Sequence, residues 1–484
     1  MPRPLSLLLV AVAVLGASWA LLVPPGQAPD EPSHIGYAQV LAEDFRLPDE
    51  KPGLTFSREQ ELAQAYANVD QTAQVLLTKP EWSELAYREW QARDAKLPVG
   101  SRGDGGHYGP ARGPNPARAN PPLYYLWEAI PYRVAGGDFF DRLYAMRLWS
   151  VVLLLVSTAA TWLLIGELVG PRRDLQLAGA ALVGMQPMAA FVSASVNPDA
   201  SLIACFALTF WLGARVLRRG LTLRDGVALG GVTALAVLTK GTGYALVPAV
   251  AIALAVGAWR LRPWGRSAVI AAGGAGLALA IPVGFWLALA RVLDRAAVNQ
   301  VPGTGGGSSV PGSPHIGLVN YLWQFYLPKL PFQSNVPAIP RLPVYDIWLK
   351  GGWAAFGWLE VRFPNPVYVV LAAVTIGLLA GGAVVLLRRR RRDDLPLIAF
   401  FGAASLALLA GLHWIEYRTI RTEGVIFNQG RYLLPLLPLL GVSAAASLTL
   451  VPARRRAMAT GVLIGAAFVL QVFSLALIAG RFYA

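Results

Sequence analysis

The sequence carries no Walker-type phosphate loop, no HExxH zinc motif and no GxSxG elbow. It therefore lacks the compact signatures of P-loop, zinc-hydrolase and α/β-hydrolase chemistry. It has one cysteine, Cys205, inside an apolar run. That excludes a disulfide framework or a cysteine-built metal site within the chain, and the thiol reads as a small buried hydrophobe. Charge is scarce: 14% of the 484 residues are Asp, Glu, Lys or Arg, where a soluble domain carries about 25%. No internal repeat of solenoid length is present.

What fills the chain instead is apolar sequence, 55% of residues at a mean hydropathy of +0.48. This is the composition of an all-α polytopic membrane protein. A spanning helix needs roughly 20 apolar residues, and by that rule about eleven spans are expected. They fall near 5–23, 144–168, 175–194, 199–216, 226–240, 243–259, 267–290, 366–387, 395–413, 430–450 and 457–480. The net charge of +14 is no nucleic-acid signal, because the basic residues sit between the apolar runs. Arg3, Arg172 and Arg173, Arg215 to Arg224, Arg260 to Arg266, Arg388 to Arg392 and Arg454 to Arg456 mark every second connection. The positive-inside rule then places the N-terminus in the cytoplasm and the C-terminus outside. The first span ends in Ala-Leu-Leu-Val-Pro-Pro, a poor cleavage site, and reads as uncleaved.

The expected division is a first span (1–23), an external loop (24–142), a bundle (143–290), a second external loop (291–364) and a C-terminal bundle (365–484). Within the first loop, Ser57-Arg58-Glu59-Gln60 has the form of a capping box opening a helix. Trp82, Leu85, Ala86 and Trp90 have helical spacing, for a helix lying on the membrane or packed on protein. Gly100 to Pro122 reads as loop, and Gly303 to Pro314 as a flexible loop or a lid.

The chemistry-bearing residues gather at external ends of spans. Pro29-Asp30-Glu31-Pro32-Ser33-His34 follows the first span directly. Asp30 or Glu31 beside a substrate hydroxyl can serve as general base, and the pair can also hold a divalent metal ion. The plain alternative is a helix cap. His34, a turn further on, fits a ligand, a hydrogen-bond partner or an interface residue. Asn197 and Asp199 lie in Ser195-Val196-Asn197-Pro198-Asp199, a polar segment or simply a turn. Lys240, flanked by glycine, suits a phosphate or snorkels to the interface. Gln429, Arg431 and Tyr432 open the tenth span, where Arg431 sinks into apolar sequence and needs an anion, whether phosphate or a protein carboxylate.

These residues resemble the GT-C superfamily of membrane glycosyltransferases. Asp30 and Glu31 match the acidic position early in the first loop. Asn120-Pro121-Pro122-Leu123-Tyr124-Tyr125 is similar to the stretch before the second span, and Arg147 in Met146-Arg147-Leu148-Trp149 to the Arg-Leu segment after it. More narrowly, Pro-Asp-Glu-x-x-His, Asn-x-Asp and Gln-Gly-Arg-Tyr resemble a bacterial family of predicted membrane proteins linked to envelope glycosylation. The resemblance implies a GT-C fold with a large first external loop in the bacterial cytoplasmic membrane. It implies transfer of a sugar from a polyprenyl-phosphate donor to an envelope glycan or glycolipid. Asp30 and Glu31 would be catalytic. His34, Arg147, Asn197, Asp199, Lys240, Gln429, Arg431 and Tyr432 would contact substrate. The alternative is a transporter or flippase of lipid-linked glycans.

Overall fold

The computed structural model describes residues 2–48, 56–74, 79, 84–96, 115–261, 265–295, 316–336, 339–389 and 394–484. Trp82, the Gly303–Pro314 stretch and most of Gly100–Pro122 lie outside them. Every long apolar run is helical, because in a bilayer a helix satisfies its own backbone hydrogen bonds. α1 (Arg3–Leu22) ends where Pro24 and Pro25 follow. α2 (Glu31–Asp44), α3 (Arg58–Tyr66), α4 (Val69–Gln74), α5 (Glu84–Asp94) and α6 (Leu123–Ala135) form a helical layer over one end of the bundle, the loop face. α7 (Phe139–Leu168) returns through the bundle. α8 (Arg173–Gly184), α9 (Pro187–Ser193), α10 (Pro198–Arg219), α11 (Leu223–Thr239), α12 (Val247–Arg260) and α13 (Arg266–Val292) follow. α14 (Leu318–Tyr326), a π-helical turn (Val344–Lys350) and α15 (Gly351–Trp353) cap the loop face again. α16 (Asn365–Arg389), α17 (Leu395–Glu423), α18 (Leu437–Leu448) and α19 (Ala453–Phe482) complete the bundle.

Nine helices among the described residues are long and apolar enough to cross a membrane, and the pair α8 and α9, bent by 59°, makes ten where it is counted as one span. Pro187 starts the second half of that bend, with the Gln186 side chain capping it. The remaining expected segment is α11, a 17-residue helix that runs from Asp225, on the face opposite the loops, to Lys240 at the loop face. The expected fifth and sixth spans thus form a short helix followed by a 3₁₀ turn (Gly241–Leu246) and α12. α7, α8 and α10 are the packed centre. At the α8–α18 crossing, a Cβ added at Gly179 would lie 2.3 Å from the Gly441 carbonyl oxygen, so glycine alone permits that approach.

α1 and α19 run in the same direction. Tyr483 donates to the Leu22 carbonyl at 3.0 Å, and Trp19 donates to Gln471 at 2.6 Å. On the face opposite the loops, Arg215–Asp225, Arg218–Asp394 and Arg219–Glu167 tie α10 to its neighbours. The Ser57 hydroxyl caps α3, accepting from Gln60 N–H at 3.1 Å. Gln60 does not close the box. Its side chain reaches the Pro32 carbonyl at 2.6 Å and so holds α3 against α2. α5 turns Trp90 onto Phe140, with ring centroids 4.9 Å apart, and leaves Leu85 exposed.

Candidate functional site

The chain leaving α1 turns through Gly26, whose φ of 70° favours glycine. The turn delivers Asp30 and Glu31 to the head of α2 with their side chains pointing apart. Glu31 is fully buried. It receives two bonds from Arg147 of α7, from Nε at 2.8 Å and Nη2 at 2.6 Å. It also accepts the backbone N–H groups of Gly26 at 3.1 Å and Val196 at 3.2 Å. Arg147 directs its other donors to the carbonyls of Ala20, Val23 and Pro24. Two charges persist at this depth because they are paired and hydrogen-bonded throughout. Glu31 and Arg147, expected beside the reaction and the substrate respectively, therefore bind each other. They lock the end of α1, the head of α2, α7 and the 195–197 turn together.

Asp30 turns the other way. It stands at the N-cap position with φ 64° and ψ −1°, and its side chain makes no capping bond. Its carboxylate is 53% exposed and accepts from Arg431 Nη2 at 2.5 Å. Arg431, 1% exposed, also donates to the Pro29 carbonyl at 3.4 Å. Its Nε lies 3.9 Å from Asp199 Oδ2, and neither atom has a hydrogen-bond partner among the described residues. Asp199 Oδ1 accepts from Lys240 Nζ at 2.6 Å. Both cations flank the Tyr432 ring, Lys240 at 5.1 Å and Arg431 at 5.3 Å from its centroid. Four charges thus alternate in one row: Asp30, Arg431, Asp199, Lys240. Burial alone would raise the Asp30 carboxyl, but the Arg431 guanidinium outweighs it and holds Asp30 below the usual carboxylate range.

His34 completes the wall beside Asp30. Its Nδ1 lies 2.9 Å from the Tyr125 hydroxyl, which accepts from Asn120 Nδ2 at 2.9 Å. Tyr37 stacks on Tyr125, with centroids 3.7 Å apart. Burial pushes the His34 imidazole down to about 4, against the opposing pull of Asp30, so the ring is neutral near pH 7. Asn197 caps α10 by accepting from Asp199 N–H at 2.9 Å, and its amide reaches the Pro29 carbonyl at 3.3 Å. The turn expected there is present, but it is buried and laced to the acidic motif.

Gln429, whose Oε1 is buried without a hydrogen-bond partner among the described residues, leads into a 3₁₀ turn (Gly430–Leu436) carrying Arg431. Two contacts fix that turn. Glu416 Oε2 accepts the N–H groups of Phe427 and Asn428, each at 2.7 Å. Gly430 meets α15 so closely that an added Cβ would lie 2.1 Å from Gly352 N. Beside Gly430 opens a cavity of about 1100 Å³, lined mostly by apolar side chains including Trp353, Ile376, Leu379, Leu437 and Leu440. It runs between α16 and the α17–α18 side of the bundle, with Arg341 and Lys329 also on its wall. Among the described residues no group of three or more His, Cys, Asp or Glu side chains is arranged to hold a metal ion. Asp30 and Glu31, which as neighbours in sequence could have held a metal together, face different arginines.

Sequence reasoning assigned no role to Tyr125, Asn120 or Glu416. Glu416 carried only a weak signal: it lies just past the apolar 395–413 run, among Arg418, Arg421 and Glu423.

The fold is similar to three solved structures. One is the oligosaccharyltransferase of Archaeoglobus fulgidus tethered to an acceptor peptide, at 10% identity and TM-score 0.48, covering 99% of this chain and 55% of that one. Another is the archaeal oligosaccharyltransferase AglB of the same organism with an inhibitory peptide and a dolichol-phosphate, at 12% and 0.48, covering 99% and 56%. The third is ArnT of Cupriavidus metallidurans in the apo state, at 15% and 0.43, covering 90% and 62%. The chain spans less than two thirds of the length of each. No curated protein matches it. The model of a family of predicted membrane proteins, DUF2142, matches residues 13–440, and with most of its length so covered the chain belongs to that family.

Proposed function

We propose that this protein transfers a sugar from a polyprenyl-phosphate donor to an envelope glycan or glycolipid. The reaction takes place at the loop face, which we assign to the outside of the bacterial cytoplasmic membrane, with the N-terminus cytoplasmic and the C-terminus external. The alternating row of charges is the main support: two cations suited to a phosphate stand beside a carboxylate that is half exposed. In the reaction, the acceptor oxygen bonds to the anomeric carbon as that carbon's bond to the phosphate oxygen breaks. Asp30 takes the acceptor proton, and polyprenyl phosphate leaves. Arg431 and Lys240 face the phosphate charge, with the guanidinium offering a two-pronged grip. The cavity beside Gly430 has the apolar lining and volume for isoprene units. His34, neutral and held by Tyr125, offers its other ring nitrogen to a sugar hydroxyl. Glu31 and Arg147 hold the frame.

A general base in hydrogen-bond reach contributes about 10²–10⁴-fold in rate. Asp30→Asn should lose turnover by that factor while keeping expression and folding, assayed with membranes supplied with polyprenyl-phosphate sugar. A fully active Asp30→Asn protein would remove Asp30 as the base. The one bent pair among the described residues, α8–α9, fits the broken helices of a flippase instead. A flippase would translocate lipid-linked glycan with Asp30→Asn unimpaired.

A further inference from the structure

Asp30 and Arg431 differ sharply in access. The guanidinium is 1% exposed and the carboxylate that covers it is 53% exposed. Arg431 is the fixed partner, held on a short turn braced by Gly351 and Gly352 and bonded to the Pro29 carbonyl. Asp30 is the partner with room to move. Its left-handed backbone, φ 64°, is sparsely populated for a residue with a Cβ, and no capping bond ties its side chain to α2. An anion reaching Arg431 from outside meets Asp30 first. The row of charges as it stands is internally balanced, two carboxylates for two cations, so a phosphate entering it must displace one of them.

We propose that Asp30 and the donor phosphate compete for Arg431, so that donor binding itself releases the base. This rests on the function proposed above and adds an order to it. Without donor, Asp30 is clamped on Arg431, and a carboxylate so paired is a weak proton acceptor. When phosphate takes the guanidinium, Asp30 swings free beside a new negative charge and becomes the stronger base. Donor therefore binds before catalysis of any acceptor, and the site stays inert toward acceptor hydroxyls or water when no lipid phosphate is present. Asp199 does not exchange in the same way. Its carboxylate is 5% exposed, is held by Lys240 and sits at the head of α10, and it remains as counter-charge to the cations when Asp30 leaves.

The consequence runs against the usual effect of removing a site residue. Asp30→Asn and Asp30→Gly should bind lipid phosphate more tightly than the parent, because the competing charge is gone. A hydrogen bond to a charged group is the term removed, and about ten-fold or more in affinity is the expected gain. Asp30→Gly also relieves the left-handed backbone, so agreement between the two variants separates the charge effect from a folding defect. The probe is farnesyl phosphate titrated into full-length protein in phosphatidylcholine nanodiscs. In the parent, addition of the probe should also raise labelling of Asp30 by a carbodiimide, read by mass spectrometry. The inference is overturned if farnesyl phosphate binds the parent through Arg431, as judged by loss in Arg431→Ala, yet both Asp30 variants bind it equally or more weakly. If farnesyl phosphate does not bind the parent, or Arg431→Ala binds it undiminished, the proposed lipid-phosphate function itself fails. Tightening seen with inorganic phosphate but not with farnesyl phosphate would overturn the assignment to a lipid donor.

Discussion

Replacing Glu31 by Gln should damage the fold rather than the chemistry. Glu31 is the counter-charge to a guanidinium with no exposure at all. The neutral amide would keep the shape and some hydrogen bonds, but it would leave Arg147 as an uncompensated buried cation among the carbonyls of Ala20, Val23 and Pro24. Breaking one side of a buried pair costs about 3–5 kcal/mol. That is a large part of the roughly 5–15 kcal/mol that holds a typical domain together. The assay is thermal unfolding and monodispersity of the solubilised protein, with Asp30→Asn as the comparison. Asp30→Asn should unfold near the parent temperature, because Asp30 is half exposed and Asp199 remains beside Arg431. Glu31→Gln should express poorly or unfold many degrees lower. Combining it with Arg147→Met should recover only part of the loss, since the Ala20 and Val23 carbonyls would then have no donor among the described residues, while Pro24 keeps the Gln27 N–H. A Glu31→Gln protein as stable as the parent but without turnover would refute this reasoning and return Glu31 to the chemistry.

Gly430→Ala should prise α15 from the 430–436 turn, because the new methyl has backbone rather than a movable side chain in its way. Lipid-phosphate binding and melting temperature should both fall, measured on the same sample. Two buried groups of the loop face set opposite pH limits. His34 is held at about 4, below its free value of 6.5, so its contribution is complete above 6.5 and is lost as the pH falls toward 4. Glu128, buried under Ser150, is pushed up to about 8 from 4.5, so its contribution is complete below 4.5 and is lost as the pH rises toward 8. Melting temperatures across that range should show both slopes, and His34→Gln and Glu128→Gln should each flatten one of them. For orientation, cysteines placed near Gly105 and Gly306 should react with an impermeant reagent in intact cells, and one near Arg390 should not. Cys205, being buried, gives no background.

The bundle was legible because bilayer chemistry is simple. Apolar length and arginine placement locate helices without knowledge of their packing. What the pattern does not record is how α11 ends, since an apolar stretch does not show that its helix stops at Thr239 and turns through Gly241–Leu246 into α12. The site was legible as a set of residues but not as a geometry. Asp30, Asp199, Lys240 and Arg431 do meet, at 2.5 to 3.9 Å. Sequence adjacency does not show that Asp30 and Glu31 face apart. The two acids look equivalent in sequence, and only the left-handed turn at Asp30 sends them to different arginines. Arg147 read as a site residue through the resemblance of Met146-Arg147-Leu148-Trp149 to the Arg-Leu segment. The sequence does not reveal that the anion is Glu31, 116 positions away. Tyr125 and Asn120 were visible as a motif, but their hold on His34 depends on how α6 packs against α2, which no local pattern encodes.

The most direct measurement is a structure of the full chain in a nanodisc with undecaprenyl phosphate bound. Phosphate density is expected within hydrogen-bond distance of Arg431 and Lys240, with Asp30 moved off Arg431 and the isoprenoid running into the cavity beside Gly430 between α16 and α18. A lipid phosphate seated elsewhere, with Asp30 still closed on Arg431 at saturating lipid, would contradict the proposed chemistry.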